Sequence, residues 1–531
     1  MRETSLHGTI EPFGPGACHR PRVNSMEQSA TTIRKRVAWA IAIAAPMAVP
    51  TMRHVFIYNA VPLIIVCLLL LSARKRLPFG VVFAGVVLLC ALVHLHNILS
   101  FGIHTGVDSE GYIFWGSTFA GGWGFPGMIY RPPGYAFFLG VVFSVFDLSL
   151  GTAVWIQHLL LLACVPMVFA LARQWHFDRF TALCAALLLG LNSLSMQMAR
   201  YIMSEALFMF GLCVLAVFLT RMARCPGLLL SVGCGLWAAA VQHVRQLVLP
   251  FFLCAQGVVL AVNKRSAVRS VVVSVGLFLV LLVPWSLHNY IHFESFALSE
   301  HFGVNIFTKA TSYNLIDTSA AYFTELRRPY ANVLRDMDLS PGDRGQAPED
   351  DWEINRMPHV VLDTLVQRGY GYGEASDLLA RVSLASFARR PAHYVASIVP
   401  AFMTLLFRHR EMYPSVDEIF PAAGILQSNG ILFRLVRGLV YADGWILVAG
   451  ILMCLAACRQ DPVKITPFCI VLGGYALTAA VHVGFTRYAI PWIPMKMICV
   501  AWVVSSAARG ISEAACRVRR KHLDRIPENA E

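Results

Sequence analysis

Charge is scarce in this 531-residue sequence: Asp, Glu, Lys and Arg together make up 14% of it. So low a share excludes an ordinary soluble domain and a disordered chain, both of which need charge to stay in water. Cysteine is scarce where it would matter structurally. None of the 14 cysteines lies between Ile291 and Met453, so no disulfide framework supports the longest polar stretch. That stretch also lacks any Asn-x-Ser/Thr acceptor, which fits a bacterial chain. There is no internal repeat and no low-complexity tract. Gly121, Gly122, Gly124 and Gly127 have neither the spacing nor the flanking strand of a dinucleotide-binding loop.

What is present is apolar: 57% of residues are hydrophobic or aromatic and the mean hydropathy is +0.59. A membrane-spanning helix needs about 20 predominantly apolar residues. Twelve runs of near that length begin at about residues 37, 55, 79, 151, 180, 205, 227, 246, 270, 439, 465 and 488. The reading is an all-α polytopic membrane protein with about 12 transmembrane helices. The net charge of +13 then reports orientation rather than nucleic-acid binding. Arg34-Lys35-Arg36, Arg74-Lys75-Arg76, Arg173, Arg179, Arg221, Arg224, Lys264, Arg265, Arg269, Arg459 and Lys464 fall in alternate loops, and a basic tail runs from Arg517 to Arg525. The opposite loops hold about one cation each, namely Arg53, Arg131, Arg200, Arg245 and Arg487. Both termini are expected in the cytoplasm.

The expected organisation is a polar extension over 1–33, a transmembrane region over 34–287 with an acidic external loop at 102–150, and an external domain over 288–438. C-terminal transmembrane helices over 439–507 and a basic cytoplasmic tail over 508–531 complete it. The first span would be a signal peptide if translation begins at Met26. Between His288 and His393 stand 14 of the 31 acidic residues and 10 basic ones, with amphipathic helical spacing over Glu374 to Arg389, so this part faces water. The apolar stretch Tyr394 to Phe407 is short and reads as interfacial.

Ionisable residues are costly near a bilayer, and here they gather at one set of span ends. Asp108 and Glu110 lie in the first external loop, after His94 and His96; Arg131, Ser204-Glu205, His243, Arg245, His482 and Arg487-Tyr488 recur at the same side. Each has a plain alternative. Asp108-Ser109-Glu110 also reads as a solvated loop, Ser204-Glu205 as a helix cap with an acid in the first turn, and Arg131 and Arg487 as headgroup anchors. Lys496, deep in the last span, either snorkels or pairs. Joint placement favours one cavity with two or three carboxylates and several cations.

The order of these motifs resembles GT-C-fold glycosyltransferases, in particular protein O-mannosyltransferases and the lipid A aminoarabinose transferase. The matching pieces are Asp108-x-Glu110-x-Tyr112, Arg131-Pro132-Pro133-Gly134-Tyr135, Gln157, Ser204-Glu205, Pro284-Trp285 with His288-Asn289-Tyr290, and Arg487-Tyr488-x-x-Pro491. The match runs from about Phe79 to Ala507. It departs at His288, where members often carry Arg, and in the two spans before Phe79. The resemblance implies transfer of one sugar, with inversion, from a polyprenyl-phosphate donor to a lipid, glycan or protein acceptor outside the cytoplasm. For a bacterial chain that means the inner membrane, with the active site facing the periplasm. Membrane lipids are partners and nucleic acid is not. Asp108 is the expected base, with Glu110 catalytic beside it. Tyr112, Arg131, Glu205, His243, Arg245, Arg487 and Tyr488 are expected to bind substrate. No metal is expected to be obligatory, although Asp108, Glu110 and Glu205 could assemble a hard-oxygen site for a divalent ion. Three rivals remain open: a glycolipid transporter or flippase, a ligase or polymerase using a pyrophosphate-linked donor, and a receptor or scaffold whose outside charges do not converge. The end-of-span acids and the absence of repeat symmetry weigh against transport.

Overall fold

Long apolar runs leave the backbone no partner but itself in a bilayer, so they close their hydrogen bonds as helices. The computed structural model describes residues 78–122, 124–125, 131–337, 352–407, 444–453, 462–481 and 488–523, all within one unit of the fold, 64–531. In chain order the helices are α1 (Phe79–Ser100), α2 (Val107–Ala120), α3 (Gly134–Phe146), α4 (Leu150–Gln174), α5 (Arg179–Gly190), α6 (Ser193–Arg200), α7 (Glu205–Arg224), α8 (Leu228–Val244), α9 (Val248–Asn263) and α10 (Val268–Phe293). There follow α11 (His301–Ser312), α12 (Thr324–Asp336), α13 (Trp352–Gln367), α14 (Tyr372–Arg389), α15 (Pro391–Phe407), α16 (Gly444–Met453), α17 (Thr466–Val481) and α18 (Ile493–Leu523). Among the described residues the sole β-type pairing is a parallel bridge between His104 and Tyr201.

The chain is a helical membrane protein, and six of its described helical segments are long and apolar enough to cross a bilayer. A seventh is the pair α5 and α6, bent by 41°. The expected runs at 37 and 55, and part of the one at 439, lie outside the described residues. The run at 227 is the 17-residue α8, and those at 246 and 270 are α9 and α10, joined by a tight turn at Lys264–Ala267 within one 46-residue apolar stretch. A count of twelve is therefore not reached among the described residues. The expected loop at 102–150 is largely helical: α2 carries the acids and α3 is apolar. Lys496 is buried, with 1% of its surface exposed, so it does not snorkel.

Three cores are seen among the described residues. The largest joins α4, α5, α7, α8, α9, α10, α17 and α18 around Phe208, Phe252, Phe278, Phe468 and Trp492. A second lies inside the segment expected to face water, where α11 to α14 close around Phe307, Leu326, Tyr330, Val361, Leu365 and Leu379. In it α11 and α14 approach so closely that a methyl group at Gly303 would clash with the Ser376 carbonyl oxygen. The third core is small and sits between α2, α3 and α4, with Tyr112, Tyr135, Leu139, Phe143 and Ile202.

Polar residues mark two ends of the bundle. At one, Asp178 caps α5 through the backbone N–H groups of Phe180 and Thr181 and pairs with Arg509 of α18 at 2.7 Å. Nearby, Thr181 and Ser505 share a buried hydrogen bond at 2.7 Å, and Asn263 donates to the Ala223 carbonyl at 2.7 Å. The other end holds the acids.

Candidate active site

Asp108 lies in the first turn of α2, after Gly106, whose backbone N–H donates to Ser109 Oγ at 2.8 Å. An acid there is favoured by the partial positive charge of the helix N-terminus. Arg131 Nη2 donates to Asp108 Oδ1 at 2.7 Å, and both side chains keep 19% exposure, so the pair faces accessible space. The Arg131 guanidinium also lies over the Tyr112 ring at 5.0 Å, a cation–π contact. Tyr112 is buried and meets Tyr135 edge-on at 4.8 Å. Glu110, by contrast, is exposed on the same helix and takes part in no ion pair among the described residues.

A second pair is deeper. Glu205 is fully buried at the start of α7, and its Oε1 accepts a hydrogen bond from Arg245 Nη2. Arg245 Nε donates to Ser204 Oγ at 3.0 Å, so Ser204 serves Arg245 and makes no side-chain capping bond to α7. The guanidinium also contacts the rings of Phe208, at 5.9 Å, and Tyr488, at 5.5 Å. Glu205 Oε2 and Arg245 Nη1 find no hydrogen-bond partner among the described residues.

Close backbone approach brings the two pairs to the same end of the bundle. Gly134 lies against the strand-like exit of α8, where a methyl group would meet the His243 carbonyl at 2.7 Å, so the Arg131-to-Tyr135 segment packs on His243-Val244-Arg245. The His243 ring itself points back to its own helix, with Nδ1 donating to the Ala239 carbonyl at 2.7 Å. His288 is stacked on Trp285 at 4.8 Å and bonds the Phe125 carbonyl through Nε2 at 3.2 Å, which ties the end of α10 to the segment after α2. Arg487 and His482 lie outside the described residues.

The sequence reading missed a clamp. Arg200, counted there only as a lone loop cation, is 3% exposed and donates through Nε and Nη2 to the Gly102 carbonyl at 3.1 and 2.9 Å, and through Nη2 to His104 Nε2. Backbone bonds from His104 N to Arg200 O and from Ile202 N to His104 O, both 3.1 Å, close the bridge. It joins the chain just before Asp108 to the chain just before Glu205. A basic residue at a span end four residues before Ser204 was the available signal.

His104 can accept from Arg200 only while neutral. Burial, and then the Arg200 charge, hold its pKa below the ordinary value of 6.5. A histidine whose folded pKa is depressed contributes stability above the unfolded value, and loses it as pH falls through the folded one. The melting temperature in detergent is therefore expected to drop below about pH 6.5. In His104→Gln, whose amide oxygen accepts at any pH, that component disappears; an unchanged acid profile would remove His104 from the clamp.

Among the described residues no group of three or more His, Cys, Asp or Glu side chains is arranged to hold a metal ion. Asp108 and Glu205 each face a guanidinium, so a divalent ion would have to displace Arg131 or Arg245.

No family model and no curated protein sequence matches the chain. Two solved structures are similar to it. One is the oligosaccharyltransferase of Archaeoglobus fulgidus in complex with zinc and sulfate, at 14% identity and a TM-score of 0.35, covering 83% of this chain. The alignment takes in 51% of that protein, so the present chain spans about half its length. The other is ArnT from Cupriavidus metallidurans bound to undecaprenyl phosphate, at 16% identity and a TM-score of 0.31, covering 81% of this chain and 79% of that one.

Proposed function

We propose that the chain is an integral membrane glycosyltransferase that moves one sugar from a polyprenyl-phosphate carrier to an acceptor hydroxyl at the external face of a bacterial inner membrane. The observation that carries this reading is the meeting of an accessible pair, Asp108 with Arg131, and a buried pair, Glu205 with Arg245, at one end of an apolar bundle. A lipid-linked donor reaches such a site from the bilayer. Its leaving group is a phosphate, already a stable anion, which needs a positive partner more than it needs an acid.

Arg131 fits that task, and its contact with Asp108 gives the two residues a shared logic. With no donor bound, Arg131 neutralises Asp108. A donor phosphate competes for the guanidinium, and Asp108 becomes more basic as the leaving group is held. The acceptor O–H then gives its proton to Asp108 while its oxygen bonds to the anomeric carbon from the face opposite the phosphate. The C–O bond to phosphate breaks with its electron pair leaving on the phosphate oxygen, and the anomeric configuration inverts. Glu110 is assigned to the acceptor or sugar hydroxyls, and Tyr112 to the sugar face. Arg487 adds charge for the phosphate. The Glu205–Arg245 pair, with Tyr488 and His243, forms the fixed wall against which the sugar is oriented.

The test is consumption by the purified protein of a panel of polyprenyl-monophosphate and polyprenyl-pyrophosphate sugars, with and without chelator. Turnover of one monophosphate donor, unaffected by chelator, is the expected result. Use of pyrophosphate-linked donors alone would mark a ligase or polymerase, and lipid movement without donor consumption would mark a transporter.

A further inference from the structure

Two carboxylates held by separate stretches of chain work together only if something fixes one stretch against the other. One side chain reaches both. Gln157, on α4, is fully buried; its Oε1 accepts from the Tyr135 hydroxyl at 2.7 Å, and its Nε2 donates to the carbonyls of Ala199 at 2.8 Å and Tyr201 at 2.9 Å. Both amide hydrogens are thereby used, in two different directions.

On one side the path runs from Tyr135 to Tyr112, edge-on at 4.8 Å, from Tyr112 to Arg131 at 5.0 Å, and from Arg131 to Asp108 at 2.7 Å. On the other, the Tyr201 carbonyl stands three residues before Ser204, which with Glu205 receives Arg245. The same Ala199-to-Ile202 segment is the one bridged to His104. α4 is a firm post for this purpose, because the neighbouring His158 is held to His94 of α1 through a buried contact of 2.9 Å between ring nitrogens.

We infer that Gln157 is a positioning residue, which sets the Asp108–Arg131 pair at a fixed place relative to the Glu205–Arg245 pair without touching substrate. The inference rests on the transferase reading. A leucine of similar size at 157 would take the partner from the Tyr135 hydroxyl, which is fully buried, and one hydrogen bond each from the Ala199 carbonyl and the Tyr201 carbonyl, the latter keeping the Met203 N–H at 2.8 Å. The relative placement of the two stretches would then rest on the His104–Arg200 bridge, and groups misplaced by about 1 Å lose on the order of 100-fold in rate.

The experiment compares the full-length wild type with Gln157→Leu, Gln157→Glu, Tyr135→Phe and Asp108→Asn in detergent. It reads kcat and KM for the donor that the wild type consumes, together with backbone amide exchange at His104 and Ile202. In Gln157→Leu, kcat is expected to fall by about 30- to 100-fold with KM within about 3-fold of wild type, because geometry and not affinity is lost. Exchange at His104 and Ile202 rises by about 10-fold as the bridge loosens. Tyr135→Phe cuts only the first path, so it lowers kcat without changing exchange at Ile202, and adding it to Gln157→Leu costs nothing more. Gln157→Glu keeps the acceptor for Tyr135 and loses both donors, so it raises exchange at Ile202; it carries the test if the leucine variant does not fold. A Gln157→Leu protein with wild-type kcat, beside an inactive Asp108→Asn, overturns the positioning role and leaves the transferase reading intact. If the wild type consumes no donor, the transferase reading is what fails; if Asp108→Asn consumes it equally well, Asp108 is not the base. Exchange then decides on Gln157 alone, and unchanged protection at His104 and Ile202 overturns its role.

Discussion

With asparagine in place of Asp108, sugar transfer is expected to fall by about 100- to 10,000-fold, the usual weight of a positioned base. The protein should keep its fold. Asp108 is partly exposed and its contact with Arg131 sits at the rim of the bundle, where loss of an ion pair costs little. The asparagine amide oxygen can also still accept from Arg131, so the geometry of Tyr112 and Arg131 is preserved while the proton acceptor is lost. Initial rates with the donor used by the wild type, beside melting curves of both proteins, check this directly. Equal rates would exclude Asp108 as the base and leave Glu110, exposed on the same helix, as the next carboxylate to examine.

The buried pair behaves in the opposite way. Glu205→Ala strips Arg245 of its counter-charge in a place where the carboxylate is fully buried and the guanidinium keeps 14% of its exposure. Removing one partner of a buried pair costs about 3–5 kcal/mol, because the remaining charge is left without compensation. Much reduced unfolding temperature and poor yield are the expected result. Replacing both residues together, Glu205→Leu with Arg245→Met, should recover most of that stability, since a well-packed apolar pair is often as stable as the ionic one. Activity should not return, because the wall that orients the sugar has lost its polar groups. If the double variant were less stable than Glu205→Ala, the pair would be contributing through packing that the apolar residues cannot reproduce. If it were fully active, Glu205 and Arg245 would have no part in the site.

The two variants separate what could be read in the chain from what could not. Runs such as Phe79–Ser100 and Leu150–Gln174 declare themselves by length and hydropathy, since the bilayer imposes both. The amphipathic spacing after Glu374 was equally legible and is α14. The acids of α2 were found because ionisable residues stand out at span ends, but α2 itself was read as loop: its 14 residues, four of them glycine or serine, show no clear apolar stripe. Ser204-Glu205 looked like a cap because a serine followed by an acid is what a cap looks like locally. Its partner, Arg245, is 40 residues away in sequence, and no local periodicity records a pairing at that distance. Arg200 was hidden for the same reason, its contacts being to Gly102 and His104 nearly 100 positions earlier. His288, where the resemblance expected arginine, turns out to be stacked on Trp285 and tied to a backbone carbonyl, an arrangement that depends on two elements meeting.

One geometric consequence follows from the last helix. Its chain is fastened near the acids by Tyr488 against Arg245, and at the far end by Arg509 against Asp178. Twenty-one residues separate these anchors; the α-helical part from Ile493 to Arg509 alone rises about 24 Å at 1.5 Å per residue, and the 3-10 turn before it brings the span close to the hydrocarbon thickness of an ordinary bilayer. The protein thus carries its own gauge of membrane thickness. In vesicles of graded acyl-chain length, a bilayer much thicker or thinner than that gauge would have to deform around the two polar belts or tilt the helix between them.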